Sequence, residues 1–258
     1  MCLILIARDR HPRYRIVLAA NRDEFHDRPT AAMQWWNGAQ ALLAGRDLRS
    51  GGTWFAAGRD GRFGALANYF NPAQADQDGL RSRGELVPDW LTGTGELLPH
   101  AHQIVDRGGQ YQPFNCLLGG PDELLLVSNC DPLPIRKLEP GIYGLSNDLF
   151  ERPFVKVRGC GDRLEAILSQ NDRIEPETLL SLLATTEPMT GPGDASVTSD
   201  EAEHARRSAP MVVNAVHGTR AATVLLIDRD GQVEIVERRF DRAGNAIGQD
   251  EFRFEISK

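Results

Sequence analysis

The chain reads as an α+β protein in which antiparallel sheets carry the fold and the helices are segregated from the strands. Three observations predict this. Short apolar runs broken by Gly, Pro and Asp dominate both ends of the sequence. Helical spacing of apolar residues is confined to two blocks in the middle. Strands and helices nowhere alternate regularly, as a doubly wound parallel sheet would require.

Cys2–Ala7 is a continuous apolar strand. The polar connection Asp9-Arg10-His11-Pro12 joins it to Tyr14–Ala20, which predicts a hairpin. The second strand runs into Asn21-Arg22-Asp23-Glu24, four polar residues expected at a strand end. Further strands are expected at Ala41–Ala44, Thr53–Ala57 and Phe63–Asn68. Ser82-Arg83-Gly84-Glu85 matches a capping box, and Leu86, Trp90 and Leu91 share the face of the helix it would open. A second helix is expected over Glu96–Asp106. Strands return at Phe114–Leu118 and Leu124–Ser128 around the turn Gly119-Gly120-Pro121-Asp122, and Ile142–Leu145 runs into Ser146-Asn147. Helices are expected over Phe154–Leu168 and Pro176–Ala184. Thr186–Asp200, rich in Pro, Gly, Ser and Thr, reads as a long loop of the kind that forms lids. Strands close the chain at Met211–Val216, Ala221–Ile227, Gln232–Phe240 and Phe252–Ile256. Arg229-Asp230-Gly231 is a strong hairpin signal between two of them. With no repeat, low-complexity tract or linker, a single domain over 1–258 is expected.

Composition narrows the function. The residues are 41% apolar and 25% charged, enough for an ordinary core. A net charge of −7 argues against nucleic acid or an anionic membrane as partner. No run approaches the roughly 18 apolar residues of a membrane span, and the opening apolar run lacks the basic start of a signal peptide. Stable membrane insertion is not expected, and the cytoplasm is the default location. The four cysteines form no C-x-x-C pair, so neither a zinc site nor a disulfide framework is expected. Cys116 reads as core, Cys130 and Cys160 as ordinary thiols near turns. His100 and His102 stand two apart on a predicted helix, where they would not face one another, and read as solvated. His204 lies in a charged stretch, Glu201–Arg207. No cofactor or metal is implied.

Cys2 is the residue with the most chemistry in reach. Cysteine is small enough for Met1 to be trimmed, which would leave one residue carrying both a thiol and an α-amine. An α-amine ordinarily titrates at roughly 7.7–8.0, near enough to neutral to act as the thiol's general base. The alternative is a small apolar residue opening a buried strand. Other polar residues end apolar runs: Asn68, Asn147 and Thr219-Arg220. A cysteine amide hydrolase needs such parts: a carboxylate for the amine, an arginine for the thiolate and side-chain amides for the oxyanion.

The start Met1-Cys2, Asn21-Arg22-Asp23-Glu24, Gly51-Gly52-Thr53-Trp54, Ser82-Arg83-Gly84, Phe114-Asn115, Tyr143-Gly144-Leu145-Ser146-Asn147 and Gly218-Thr219-Arg220 together resemble the NRDE-motif family, also called transport and Golgi organization protein 2-like. The resemblance runs from Cys2 to at least Phe240. It implies the fold of the N-terminal-nucleophile hydrolases, a four-layer αββα sandwich of two antiparallel sheets between helical layers. It also implies kinship with choloylglycine hydrolases and penicillin V acylases. By that likeness Cys2 matches the nucleophile, Asp23 the aspartate after strand two, Asn68 and Asn147 the asparagines, and Arg220 the late arginine. Those enzymes carry Arg-x-x-Asp; here the residue three before Asp23 is Ala20. Arg22 is adjacent instead, and in an extended strand it points away from Asp23. His217 stands where the family usually has Tyr.

Two functions follow as expectations. The first is a binding or trafficking protein for a small molecule (haem, lipid or acyl-CoA, as the resemblance implies), with Asn21, Arg22, Glu24, Trp54 and Tyr69 among the contacts. Trp35, Trp36 and Phe70 are further aromatic candidates for such a pocket. The second is an N-terminal cysteine amidohydrolase acting on a small acyl amide through Cys2, Asp23, Asn68, Asn147 and Arg220. A pure interaction module is a third, weaker reading.

Overall fold

A computed structural model describes residues 2–37, 42–69, 79–150, 154–189 and 208–257. The fold class is the expected α+β, with two antiparallel sheets and few helices. By compactness the chain divides into two units, Met1–Asp27 with Pro140–Arg253, and Arg28–Glu139 with Phe254–Lys258.

The first unit holds β1 (Leu3–Arg8) and β2 (Tyr14–Phe25). Its second half holds β10 (Gly141–Leu145), α3 (Val155–Gln170), α4 (Pro176–Leu183), β11 (His217–Asp228), β12 (Gln232–Phe240) and β13 (Ala246–Glu255), the last two residues of which fall in the second unit. The sheet runs β10-β1-β2-β11-β12-β13. Alternation divides its central strands cleanly. Leu3, Leu5, Ala7, Val17, Ala19, Ala222, Val224 and Leu226 pack with Val157, Cys160, Leu164 and Leu168 of α3 and the leucines of α4 in one core. Gly144 of β10 is required by this contact, because a Cβ there would stand 2.2 Å from Val157 Cγ1. The opposite face carries Ile4, Ile6, Ile16, Leu18, Ala20, Leu225 and Ile235, also buried.

The second unit is a meander in sequence order: β3 (Thr30–Trp35), β4 (Leu42–Asp47), β5 (Phe55–Gly58), β6 (Phe63–Asn68), β7 (Phe114–Gly119), β8 (Leu124–Ser128) and β9 (Ile135–Lys137). Its helices are α1 (Leu86–Thr92) and α2 (Leu97–Asp106), whose Leu86, Trp90, Leu91, Ala101 and Ile104 share a core with Phe114, Cys116 and Leu118. Two of the sequence motifs meet here. Thr53 N–H donates to the Gly84 carbonyl at 2.9 Å, and a Cβ on Gly52 would stand 2.4 Å from the Gly84 carbonyl carbon. Only glycine at position 52 permits that backbone approach, and a Cβ on Gly84 would sit tightly, 3.1 Å from Gly52 Cα.

Several expectations need correction. β2 does not end before Asn21 but continues to Phe25, so the four polar residues alternate between faces. Met211–Val216 is not a strand. Its backbone is taken by a reversal: Val216 N–H donates to Asn214 Oδ1, while Val212 N–H donates to Thr219 Oγ1. Ser82 caps a 3-10 turn over Arg83–Glu85 by accepting from Gly84 N–H, and α1 follows it. Cys160 lies inside α3, fully buried, rather than near a turn. His100 is half-buried against the Trp90 ring at 5.4 Å rather than solvated. Strands β3 and β9 were not expected. The lid loop lies outside the described residues from position 190 onward, as do His204 and Phe70.

Candidate functional site

The strand registers bring a row of polar residues together at one end of the first unit's sheet. Ile4 pairs with Leu145, so Asn147 stands opposite Cys2 on one side. Leu3 pairs with Asn21, so Arg22 stands opposite Cys2 on the other. Arg22 in turn faces Ala221 of β11. The row is therefore Asn147, Cys2, Arg22: Arg22 lies within β2, Cys2 immediately before β1, and Asn147 two residues beyond β10.

Cys2 is 8% exposed. Its main-chain nitrogen donates to Asn147 Oδ1 at 2.6 Å, and Asn147 is itself buried. The donor at Cys2 fixes the orientation of that amide, with its oxygen toward Cys2. Burial pushes the Cys2 thiol above its ordinary value of 9.0. The positive charge of the chain's amino terminus pulls it down, the Asp23 carboxylate raises it, and the Asp23 backbone N–H on the sulfur and the Arg22 guanidinium lower it. Arg22 is thus the arginine whose charge acts on the thiol. Its guanidinium is buried and lies 3.9 Å from Glu24 Oε2. Glu24 Oε1 accepts from Phe25 N–H at 2.8 Å.

Asp23 continues the helix-facing side of β2. Its Oδ1 accepts from Thr219 Oγ1 at 2.6 Å, and its Oδ2 lies 3.8 Å from Lys156 Nζ, both side chains being 0% exposed. Asn21 shares that face. It donates through Nδ2 to the carbonyls of Leu183 and Pro210, both at 2.9 Å, so it ties α4 and the segment before β11 to the sheet. Asn21, expected among the ligand contacts, has its amide nitrogen engaged by these two main-chain carbonyls.

Arg220 is placed differently from its expected role. Thr219 pairs with Asp23 and Ala221 with Arg22, which leaves Arg220 as the extra residue of a β-bulge. Its guanidinium donates to the Phe25 and His26 carbonyls at 3.1 Å. The bulge re-aims the side chain, and the thiol's arginine is the adjacent-strand Arg22.

Asn68, Trp54 and Tyr69 belong to the second unit. Asn68 ends β6 opposite Phe114 and is exposed, Tyr69 N–H donates to the Pro113 carbonyl, and Trp54 lies half-buried before β5. Trp35 packs edge-on to Phe254 with Arg59 over its ring, and Trp36 lies under Arg46.

Lys156, Thr223 and Glu237 were missed. Thr223 and Glu237 are register partners, both buried, on the Cys2 face. Period-two alternation through Val233, Ile235 and Glu237 was a readable signal for Glu237. For Lys156 it was the buried stripe Cys160, Leu164 and Leu168, which extends back by four residues to position 156. Among the described residues no cluster of His, Cys, Asp or Glu is disposed to hold a metal ion. No described helix is long and apolar enough to cross a membrane.

Comparison with known proteins agrees with this fold. In solved structures the fold is similar to a mutant conjugated bile acid hydrolase from Clostridium perfringens, with a TM-score of 0.54 and 8% identity over 98% of this chain and 92% of that one. A second variant of that hydrolase aligns with a TM-score of 0.52 over 99% and 98%. These likenesses establish an N-terminal-nucleophile hydrolase-like fold. Among curated sequences, the transport and Golgi organization 2 homolog of Mus musculus is 32% identical, covering 92% of both chains. The Homo sapiens homolog is 33% identical with the same coverage, and the Drosophila melanogaster protein is 30% identical over 92% and 91%. The sequence profile of the family described as "Transport and Golgi organisation 2" matches residues 1–242, and the chain belongs to that family.

Proposed function

We propose that the Cys2 row is the nucleophilic centre of an N-terminal cysteine amide hydrolase. The observation that carries the reading is the hydrogen bond from the Cys2 nitrogen to Asn147, on a residue whose sulfur also meets the Asp23 N–H and the Arg22 charge. Loss of Met1 turns that nitrogen into an α-amine. The amine takes the thiol proton, and the thiolate attacks the carbonyl carbon of an acyl amide. The tetrahedral oxyanion is held by a side-chain amide, for which Asn147 Nδ2 is the candidate. The C–N bond breaks, the leaving nitrogen takes the proton from the α-ammonium, and an acyl thioester remains on Cys2. Water then cleaves the thioester and restores the thiol. Arg22 offsets the cost of a buried thiolate, the part for which Ala20 offers no group.

The test is intact mass followed by trapping. Protein lacking Met1 is incubated with a β-lactam and with N-acyl amino acids. An acyl adduct on Cys2, absent in Cys2→Ala, is the expected result. Full retention of Met1 would end the reading.

A second reading has its own observation. Burial holds the Cys2 thiol high, which suits a site that binds haem, a lipid or an acyl-CoA without turnover. It predicts ligand binding that survives Cys2→Ala and leaves no adduct. A haem titration without a Soret change counts against the haem form of it.

A further inference from the structure

We propose that Lys156 is a positioning residue of the Cys2 site: from the helix side of the sheet it anchors the Asp23 carboxylate, and Asp23 in turn presents its backbone N–H and its charge to Cys2. The proposal rests on the amide-hydrolase reading of that site.

Lys156 is the second residue of α3, at the positive end of the helix dipole, where an ammonium gains nothing. It is fully buried, and its described charge partner is Asp23 Oδ2 at 3.8 Å. Among the described residues Nζ has no hydrogen-bond acceptor. An ion pair of that length repays desolvation poorly, so stability alone is a weak reason for an ammonium there. What distinguishes the pair is its position. Asp23 is bound from three directions: Thr219 donates to Oδ1, Lys156 stands at Oδ2, and the Asp23 backbone N–H reaches the Cys2 sulfur. Lys156, Asp23 and Cys2 therefore form one line running from α3 through β2 to the row of polar residues.

Of the other charged groups around this line, Glu237 of β12 is buried on the Cys2 face opposite Thr223, and the rest are engaged as follows. On β2, Arg22 acts on the thiol directly and Glu24 lies against Arg22. On β11, Arg220 is turned to the Phe25 and His26 carbonyls, and His217 packs edge-on to the exposed Phe25 ring. The His26 ring reaches the Asn214 carbonyl. On α4, Glu177 is taken by Arg238. On α3, Cys160 lies one turn beyond Lys156, its thiol pushed up to about 11 by burial, with Lys156 and Arg163 pulling the other way. The amino terminus supplies the remaining positive charge at Cys2.

The experiment reads the Cys2 thiolate by ultraviolet difference absorbance, each protein against its own Cys2→Ser version, across pH. Lys156→Met keeps the side chain's length and removes its charge. We expect the Cys2 midpoint to rise in Lys156→Met by about half a unit, a threefold loss of thiolate at fixed pH. In an Asp23→Asn background the same substitution should move the midpoint by a third of that or less. A direct charge effect of Lys156 on the sulfur is additive, whereas an effect through the position of Asp23 is not. No shift, or equal shifts in both backgrounds, would overturn the proposal. Because absorbance needs no turnover, failure to trap an acyl adduct ends the hydrolase reading while leaving this result to stand or fall separately.

Discussion

Replacing Asp23 by Asn removes one charge from the Asp23–Lys156 pair and leaves the shape nearly unchanged. The amide oxygen still accepts from Thr219, so the loss is confined to the ion pair. At 3.8 Å, with the effective dielectric of about 20 that suits protein sites, two unit charges attract by about 4 kcal/mol. The partner left behind is a wholly buried ammonium, and breaking such a pair from one side costs about 3–5 kcal/mol. Lys156→Met should cost a similar amount for the mirror-image reason. The double variant removes both charges, and its cost should fall well below the sum of the singles, because neither charge is left unpaired. The assay is urea unfolding of the parent, both singles and the double, followed by circular dichroism. Losses in the double variant that equal the sum of the singles to within about 0.5 kcal/mol would refute the coupling, and with it the idea that the two side chains form one buried unit.

Other expectations follow from the same contacts. Asn147→Leu strips the acceptor from the Cys2 nitrogen and should cost about 1–3 kcal/mol while abolishing adduct formation, measured by urea unfolding and intact mass. Asn21→Leu orphans the Leu183 and Pro210 carbonyls and should destabilise by about 2–4 kcal/mol, with proteolysis appearing first near the C-terminus of α4. Burial, with Arg107 and Arg62 adding to it, holds the His100 imidazole below its ordinary 6.5. The unfolded chain therefore binds the proton more readily. The His100 contribution to stability is complete above pH 6.5 and is lost as pH falls below it. Urea midpoints at mildly acidic and neutral pH should differ less in His100→Gln than in the parent; an unchanged difference would remove His100 from the account.

What the sequence made legible was set by how local each signal is. The β11–β12 hairpin announced itself through Arg229-Asp230-Gly231, where Asp228 accepts from the N–H groups of Asp230 and Gln232 and Gly231 takes a φ of +82°. Gln232–Phe240 and Phe63–Asn68 lie where their apolar runs between turn residues put them. The edge strands β3 and β9 escaped notice because each is short and incompletely buried, so neither shows alternation. Met211–Val216 has strand-like composition, but its backbone groups were claimed by Thr219 and Asn214, a contest that no window of residues reveals.

The site was legible as a set of residues and illegible as an arrangement, and the reason lies in faces and registers. In sequence, Asn21-Arg22-Asp23-Glu24 reads as a strand end, where neighbours can converge on one ligand. Because β2 continues to Phe25, the four diverge: Asn21 and Asp23 meet helices and β11, while Arg22 lies on the side of Ala20. On the amide-hydrolase reading, that divergence turns the Ala20 departure from a deficit into a substitution. A residue three before Asp23 shares the face of Ala20, and Arg22 occupies that same face one pair further along, opposite Cys2. The guanidinium is thus delivered from a neighbouring position of the same strand. Arg22→Leu discriminates the two views. Removing the charge should raise the Cys2 thiolate midpoint, because Arg22 pulls it down, whereas Arg220→Leu should loosen the Phe25–His26 corner and leave that midpoint in place. A shift produced by Arg220→Leu and not by Arg22→Leu would return the role to the bulged arginine.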